Sequence, residues 1–438
     1  MLKKRSSRKP QNQKPSESIV ERPLEELNLP TDILIEILKR LPLKSLVRST
    51  CICKSWFSLL TSPTFLSTLA TFNLRNSIDT QNFQLFREAI NIHSEDCCTK
   101  FTVYSNSNFL LKKTEFECPV GKKHHVVSSA DGLVCLFDFY SRNPGMEPLI
   151  LWNPSIRKTL VAPVPVNGTV VEFTSGGFPK LIFGFGYDSS SNGYKVVQIS
   201  YHNGGRGVSD GTSFQANVYC VSNCEWKNLG LSVVPQNIIT IRWRGVYLNG
   251  VIHWVCNVNV NVDGKDRIHR TILTFKLGNE EFSELKLPKE LVDVTNHTLK
   301  VVTVPRVGKE VLGVVHNVTN SFSLWVTEEY ALKESWVKLF SINFGSMIRN
   351  DMNVVVLSDQ VVVVKTLLGG WRSYDHSRKQ IFYHHNTIPE GLDYVDSYVE
   401  SLILLGQRKG VLPSKEVKQE SPKPRRLRRF KRGNARAT

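Results

Sequence analysis

The sequence predicts an α+β multidomain chain: a short three-helix unit followed by one large all-β domain. Three observations predict it. An apolar stripe with helical spacing is confined to residues 29–60, and short β-branched and aromatic runs between Gly, Asn, Asp and Ser take over from about residue 100. Both ends are basic and poor in apolar residues. The divisions that follow are a disordered basic tail over 1–24, the helical unit over 25–70, a connecting segment over 71–100, the β domain over 101–406 and a second disordered basic tail over 407–438.

Charge separates the tails from the folded part. The net charge is +17, but residues 1–16 hold Lys3, Lys4, Arg5, Arg8, Lys9 and Lys14 with no acid, and residues 407–438 hold twelve Lys or Arg against Glu416 and Glu420. Residues 17–406 are left with +1, so the high isoelectric point describes the ends and argues against a nucleic-acid-binding fold. Nine Cys at irregular positions, with no apolar stretch behind the basic start, point to reduced thiols in the nucleus and cytoplasm. No run approaches the ~18 apolar residues that a membrane span needs.

The helical unit is punctuated by prolines. Leu29-Pro30 is extended, and Thr31 or Asp32 can cap the helix that follows. Ile33, Leu34, Ile37, Leu38 and Leu41 form one broad apolar stripe. Pro42 ends that helix and opens the next, lined by Leu43, Leu46 and Val47. Cys51, Cys53, Trp56, Phe57 and Leu60 line a third, and Pro63 closes the segment. So small a unit cannot bury so wide a stripe by itself. Either a partner protein or the β domain of the same chain covers it.

The β region repeats a pattern of aromatic strand, polar turn and returning strand. Trp152, Tyr219, Phe275, Trp325 and Tyr374 anchor successive copies, near the ~50-residue period of propeller blades. Hairpins such as GLVCLFDF and GVYLNGVIHWV lie between them. Two hairpins per period make a four-stranded sheet, and a radial arrangement of such sheets protects their edges. A large two-sheet sandwich fits the same strands.

Sites for chemistry are weak throughout. Gly184-Phe185-Gly186 lacks a third glycine and a following helix, so these read as strand glycines. His124-His125 and His384-His385 are adjacent pairs whose side chains would point to opposite faces of a strand. His253 beside Trp254 reads as a core histidine. Nothing calls for a catalytic residue, a cofactor or a metal. Target-binding loops are expected at 141–147, 165–179, 201–214, 257–269 and 343–351.

The segment LPTDILIEILKRLPLKSLVRSTCICKSWFSLLTSPTFLSTLA closely resembles the F-box. DGLVCL at 131–136, LWNPSIRK at 151–158, FGFGYDSSSNGYKVVQI at 183–199, LNGVIHW at 248–254, ILTFKLGNEEFSELKLP at 272–288, LWVTEEYALKESWVKLFSI at 324–342 and YVESLILL at 398–405 resemble the plant F-box-associated domain of the first type. That resemblance implies a kelch-like β-propeller. Six blades are expected, with YVESLILL closing the ring against the strand FTVYSNSNFLLKKTEF. Gly176-Gly177, Gly204-Gly205 and Gly369-Gly370 recur too irregularly for true kelch repeats.

The resemblance implies a non-catalytic substrate-recognition subunit of an SCF-type cullin–RING ubiquitin ligase. Its partners would be a Skp-type adaptor, through it a cullin, and a protein target. Leu29, Pro30, Ile33, Leu34, Ile37, Leu38, Leu41, Pro42 and Leu46 are the expected adaptor contacts, with Val47, Cys53 and Trp56 as F-box core. Two other readings stand beside it: an adaptor-binding scaffold or competitor without a ubiquitination role, and a nucleic-acid-associated propeller acting non-specifically through its tails. Lys423, Arg425, Arg426, Arg428, Arg429, Lys431 and Arg432 form a candidate nuclear-import signal.

Overall fold

A computed structural model describes residues 29–79, 84–89, 100–105, 112–119, 124–139, 147–165, 180–201, 214–231, 233–294, 298–306, 309–318, 321–330, 335–343, 354–365, 371–384, 392–407 and 411–413. Residues 1–28 and 414–438, which include the import signal at 423–432, lie outside the described residues, as do 141–146, 166–179, 202–213 and 344–351 among the expected loops; the expected disordered tail at 407–438 instead contains a paired strand over Val411–Pro413.

Four helices come first: α1 (Thr31–Leu38), α2 (Leu43–Ser49), α3 (Lys54–Leu60) and α4 (Pro63–Asp79). Pro30 and Pro42 sit at the caps of α1 and α2 with φ near −55°, and neither cap uses a side chain, so Thr31 and Asp32 do not fill the capping role expected of them. Pro63 does not close the unit. It opens α4, where a proline's missing N–H costs nothing. The unit therefore has four helices, not three.

The strands are β1 (Gln84–Ala89), β2 (Lys100–Ser105), β3 (Lys112–Glu117), β4 (His124–Ala130), β5 (Leu133–Asp138), β6 (Leu149–Asn153), β7 (Lys158–Ala162), β8 (Lys180–Asp188), β9 (Gly193–Tyr201), β10 (Phe214–Cys220), β11 (Glu225–Leu231), β12 (Ile238–Ile241), β13 (Val246–Leu248), β14 (Val251–Val262), β15 (Lys265–Lys276) and β16 (Glu281–Leu285). After the short α5 (Lys289–Val292) come β17 (Thr298–Arg306), β18 (Lys309–Val318), β19 (Ser321–Thr327), β20 (Trp336–Asn343), β21 (Val354–Val356), β22 (Val361–Lys365), β23 (Trp371–Asp375), β24 (Gln380–His384), β25 (Leu392–Tyr398) and β26 (Val411–Pro413).

They pair as separate antiparallel sheets arranged as a β-propeller, which removes the sandwich alternative. Five sheets consist of strands consecutive in the chain, one of them with β26 added to its outer edge. Five blades are thus detected, not the six expected; the remaining sheet, β25-β1-β2-β3, is composite. The closing strand is not the one expected. It ends at Tyr398, and its neighbour is β1, inside the presumed connecting segment.

The aromatic repeat has a structural meaning. Trp152, Tyr219, Phe275, Trp325 and Tyr374 lie on β6, β10, β15, β19 and β23, each the third strand of its sheet counted from the centre. The turns leaving four of these strands place Arg157, Cys224, Glu280 and Lys379 at φ between 52° and 60°. Two-residue hairpin turns at Asp131-Gly132, Asn249-Gly250 and Asp263-Gly264 have both residues at positive φ, the type I′ pattern that matches strand twist.

The glycines of β8 are packing residues, as read from sequence. A Cβ on Gly184 would lie 2.5 Å from Trp254, and one on Gly186 would lie 2.1 Å from Tyr247. They let β8 approach the neighbouring sheet, where Trp254 Nε1 donates to Phe183 O at 3.1 Å. The expected loop at 257–269 is instead a hairpin: β14 and β15 pair in unbroken register from Val251–Lys276 to Val262–Lys265.

Candidate functional site

The apolar stripe of the helical unit divides into two rows. Leu34, Leu38, Leu46, Leu60, Phe65 and Leu69 are buried together, with Val47 and Trp56 packed against them. Ile33 and Ile37, one residue before the buried pair on α1, turn to solvent with 48% and 46% exposure, beside Leu29, Leu41 and Ile52. Pro30 and Pro42 are exposed as well. Five of the eleven exposed large hydrophobics among the described residues thus fall within residues 29–52. Soluble proteins rarely gather such side chains in one place without a partner for them.

This corrects part of the expected contact set. Leu34, Leu38 and Leu46 are at most 7% exposed and hold the bundle together, so a docking partner cannot reach them. Leu29, Pro30, Ile33, Ile37, Leu41 and Pro42 remain available. Cys53, expected in the core, is half-buried at the start of α3.

The helical unit is seated on the propeller by a loop that sequence reading took for a strand. Residues 401–407 have no strand pairing, yet Leu402 is 1% exposed inside the helical core, with Ile156 and Leu405 packed against the same cluster. Asn153 shapes the loop by donating from Nδ2 to Ser401 O at 3.1 Å and Ile403 O at 2.7 Å. Lys158 Nζ donates to Leu405 O at 2.7 Å, and Asn73 Nδ2 donates to Glu400 O at 3.1 Å. A side chain at Gly406 would lie 2.8 Å from Thr61. Leu402→Ala should lower stability by about 3 kcal/mol and loosen the joint. Hydrogen exchange that rises in α3 and α4 but not in β14 and β15 would show it; unchanged exchange would count against it.

The loop fixes the unit over one end of the propeller's central channel. A cavity of about 330 Å³ is lined by residues of β4, β13, β17 and β21, by Tyr187 and Tyr394, and by Ser67, Ala70 and Thr71 of α4. Small residues on that face of the helix permit the close approach. At this end Tyr194 Oη donates to Asp131 Oδ2 at 2.9 Å, and burial raises the Asp131 pKa while that bond opposes the rise. Among the described residues no group of three or more His, Cys, Asp or Glu could hold a metal ion.

His253 is the satisfied core histidine read from sequence. It is fully buried, and its Nδ1–H faces Val246 O at 3.2 Å while its Nε2 accepts from Tyr330 Oη at 2.7 Å. Burial pushes its pKa down to about 4, against a smaller upward pull from the Val246 carbonyl. The folded protein therefore keeps His253 neutral where the unfolded chain protonates it. Its contribution to stability is full above the ordinary value of 6.5 and is lost as pH falls towards 4. The loss is on the order of 3 kcal/mol, and His253→Gln should flatten the pH dependence of urea unfolding over that window.

Comparison with known proteins comes down on the side of this two-part reading. A family model described as the F-box domain matches residues 26–68, and one described as the F-box associated beta propeller domain matches residues 87–369. An F-box/kelch-repeat protein of Arabidopsis thaliana is 24% identical over 86% of this chain and 95% of its own length. The F-box protein CPR1 of the same plant is 26% identical over 72% of this chain and 73% of its own. With an exposed apolar row on its helices and a propeller behind them, this chain belongs to the F-box proteins that carry an F-box-associated β-propeller domain.

Proposed function

We propose that the protein is the substrate-recognition subunit of an SCF-type ubiquitin ligase. The solvent-facing row Leu29, Ile33, Ile37 and Leu41 supports this reading most directly, because it gives a Skp-type adaptor an apolar surface the chain itself does not cover. The adaptor would bridge to a cullin, and the propeller would hold a protein target near the transferring subunits. Ubiquitin transfer belongs to those subunits, and this chain contributes proximity. The basic run at 423–432 supports residence in the nucleus as well as the cytoplasm.

Proximity labelling in cells, with and without proteasome inhibition, tests the reading. The same comparison is made with an Ile33→Asp/Ile37→Asp variant. Labelled proteins should accumulate under inhibition with the wild-type chain and should be long-lived with the variant. Targets whose lifetimes are identical in the two cases would point to a scaffold without a ubiquitination role.

A further inference from the structure

The cavity beneath α4 brings a carboxylate together with three aromatic rings. Asp131 lies on the tight turn between β4 and β5 at φ 48°, and Tyr187, Tyr194 and Tyr247 line the cavity with it. The turn is fixed by its neighbours. A Cβ on Gly132 would lie 2.1 Å from Val399 O, at the head of the loop that seats the F-box.

Each ring is anchored through its hydroxyl. Tyr194 Oη donates to Asp131 Oδ2 at 2.9 Å, and Tyr247 Oη donates to Tyr187 O at 2.9 Å. Tyr187 Oη donates to Asn192 Oδ1 and is hydrogen-bonded to Ser67 of α4. The rings of Tyr187 and Tyr194 are 5.2 Å apart and inclined at 55°, and a Cβ on Gly186 would lie 2.1 Å from the ring of Tyr247. All three tyrosines are half-buried. Burial raises the pKa of each phenol, and the charge of Asp131 adds to the rise in all three, which places them around one carboxylate.

Among the described residues no cation answers that carboxylate. Burial and the Tyr194 bond are the influences on it, and neither Arg244 nor Lys300, which line the same cavity, is among them. Oδ2 is taken by Tyr194, and Oδ1 has no hydrogen-bond partner among the described residues. Burying a carboxylate without a counter-ion is costly. The turn does not require it, because Asn-Gly serves a type I′ turn as well as Asp-Gly. The missing partner is a cation, and aromatic rings around a cationic nitrogen add to what a carboxylate supplies.

We propose that the cavity binds a small organic ammonium ion, its charged nitrogen held between Asp131 Oδ1 and the rings of Tyr187, Tyr194 and Tyr247. At about 330 Å³ the cavity suits a molecule of small-metabolite size. Ser67, Ala70 and Thr71 of α4 stand across this end of the channel, so the site takes a free molecule and not a side chain of a docked protein. The ligand would touch both the helical unit and the propeller. The site goes beyond the receptor reading and uses none of the exposed row on α1.

Isothermal titration of the full-length protein with choline, with ethanolammonium and with dimethylbutanol, the uncharged carbon isostere of choline, tests this. At least one of the two ammonium compounds should bind with a Kd of about 1 mM or tighter, and dimethylbutanol at least about tenfold more weakly. Asp131→Asn should weaken ammonium binding at least about tenfold and leave the Tm of the free protein unchanged or higher, because it keeps the turn and removes an uncompensated carboxylate. Tyr187→Leu, which removes a ring and no charge, should weaken ammonium binding about fivefold. Equal binding of choline and dimethylbutanol overturns the proposal, as does ammonium binding undiminished in Asp131→Asn or no saturable binding of either ammonium compound at about 10 mM. A lowered Tm of the free Asp131→Asn protein overturns it too, since the carboxylate would then serve the turn and not a ligand. Ile33→Asp/Ile37→Asp should bind the ammonium ion as the wild type does, so loss of this site and loss of the adaptor are read separately.

Discussion

Ile33→Asp combined with Ile37→Asp should abolish capture of a Skp-type adaptor and leave the protein folded. Both side chains are about half exposed on α1, so their replacement withdraws little from the folded core. Surface substitutions of this kind usually change stability by no more than about 0.5 kcal/mol. Binding is a different matter. A central apolar contact typically contributes ~2 kcal/mol or more, and two such losses correspond to roughly a thousandfold weaker complex. Burying two carboxylates against an apolar partner adds a desolvation cost. Leu34→Asp and Leu38→Asp provide the contrast, because these side chains are at most 7% exposed and their replacement should unfold the helical unit itself. Isothermal titration with the adaptor and thermal melting separate the two outcomes. Adaptor binding within threefold of wild type by a folded double variant would refute the assignment of this row.

Lys195→Ala should destabilise the propeller by about 3–5 kcal/mol, the usual cost of stripping one partner from a buried ion pair. Lys195 Nζ lies 2.9 Å from both Asp188 Oδ2 and Glu280 Oε1, and it donates to Leu277 O at 2.9 Å. Its side chain is 8% exposed and that of Asp188 only 2%, and together these contacts tie β8 and β9 to the next sheet. Burial works to raise the Asp188 pKa, but hydrogen bonds from Ser191, Ser190 and Lys195 outweigh it and hold the carboxyl well below its usual range. Burial lowers the pKa of Lys195, and its bonds to Glu280 and Asp188 more than offset this. The carboxylate's contribution is therefore full above the ordinary range near 4 and is lost as pH falls through the depressed value. Urea unfolding at neutral pH checks the magnitude. The triple variant Lys195→Met/Asp188→Asn/Glu280→Gln should recover much of the loss, since no charge is then left buried alone. A single variant as stable as wild type would contradict the assignment.

Much of this architecture is legible in the sequence, for reasons that differ by region. The aromatic anchors stand out because every third strand of a blade must fill the same gap, and Trp152, Tyr219 and Phe275 are each at most 2% exposed there. Asp-Gly and Asn-Gly pairs mark tight hairpins wherever both residues need positive φ. What the sequence hides is which side of α1 a partner can reach. Ile33 and Leu34 are adjacent and equally apolar, and only the packing of Leu46, Phe65 and Leu402 decides that one is buried and the other exposed. The seating loop is hidden for a related reason. SLILL at 401–405 is a continuous apolar run, which periodicity cannot distinguish from a strand. Its apolar residues face two bodies at once, Leu402 the helices and Ile403 the propeller core. Lys195 and Glu280 lie far apart in the chain, so nothing local announces their pairing.

Hydrogen exchange of the full-length protein, alone and saturated with a Skp-type adaptor, is the most direct measurement. New protection should be concentrated in residues 29–52, where the uncovered row lies, and the β14–β15 hairpin of the propeller should exchange as before. Protection confined to the propeller, with α1 and α2 unchanged, would contradict the claim that the helices of this chain are completed by another subunit.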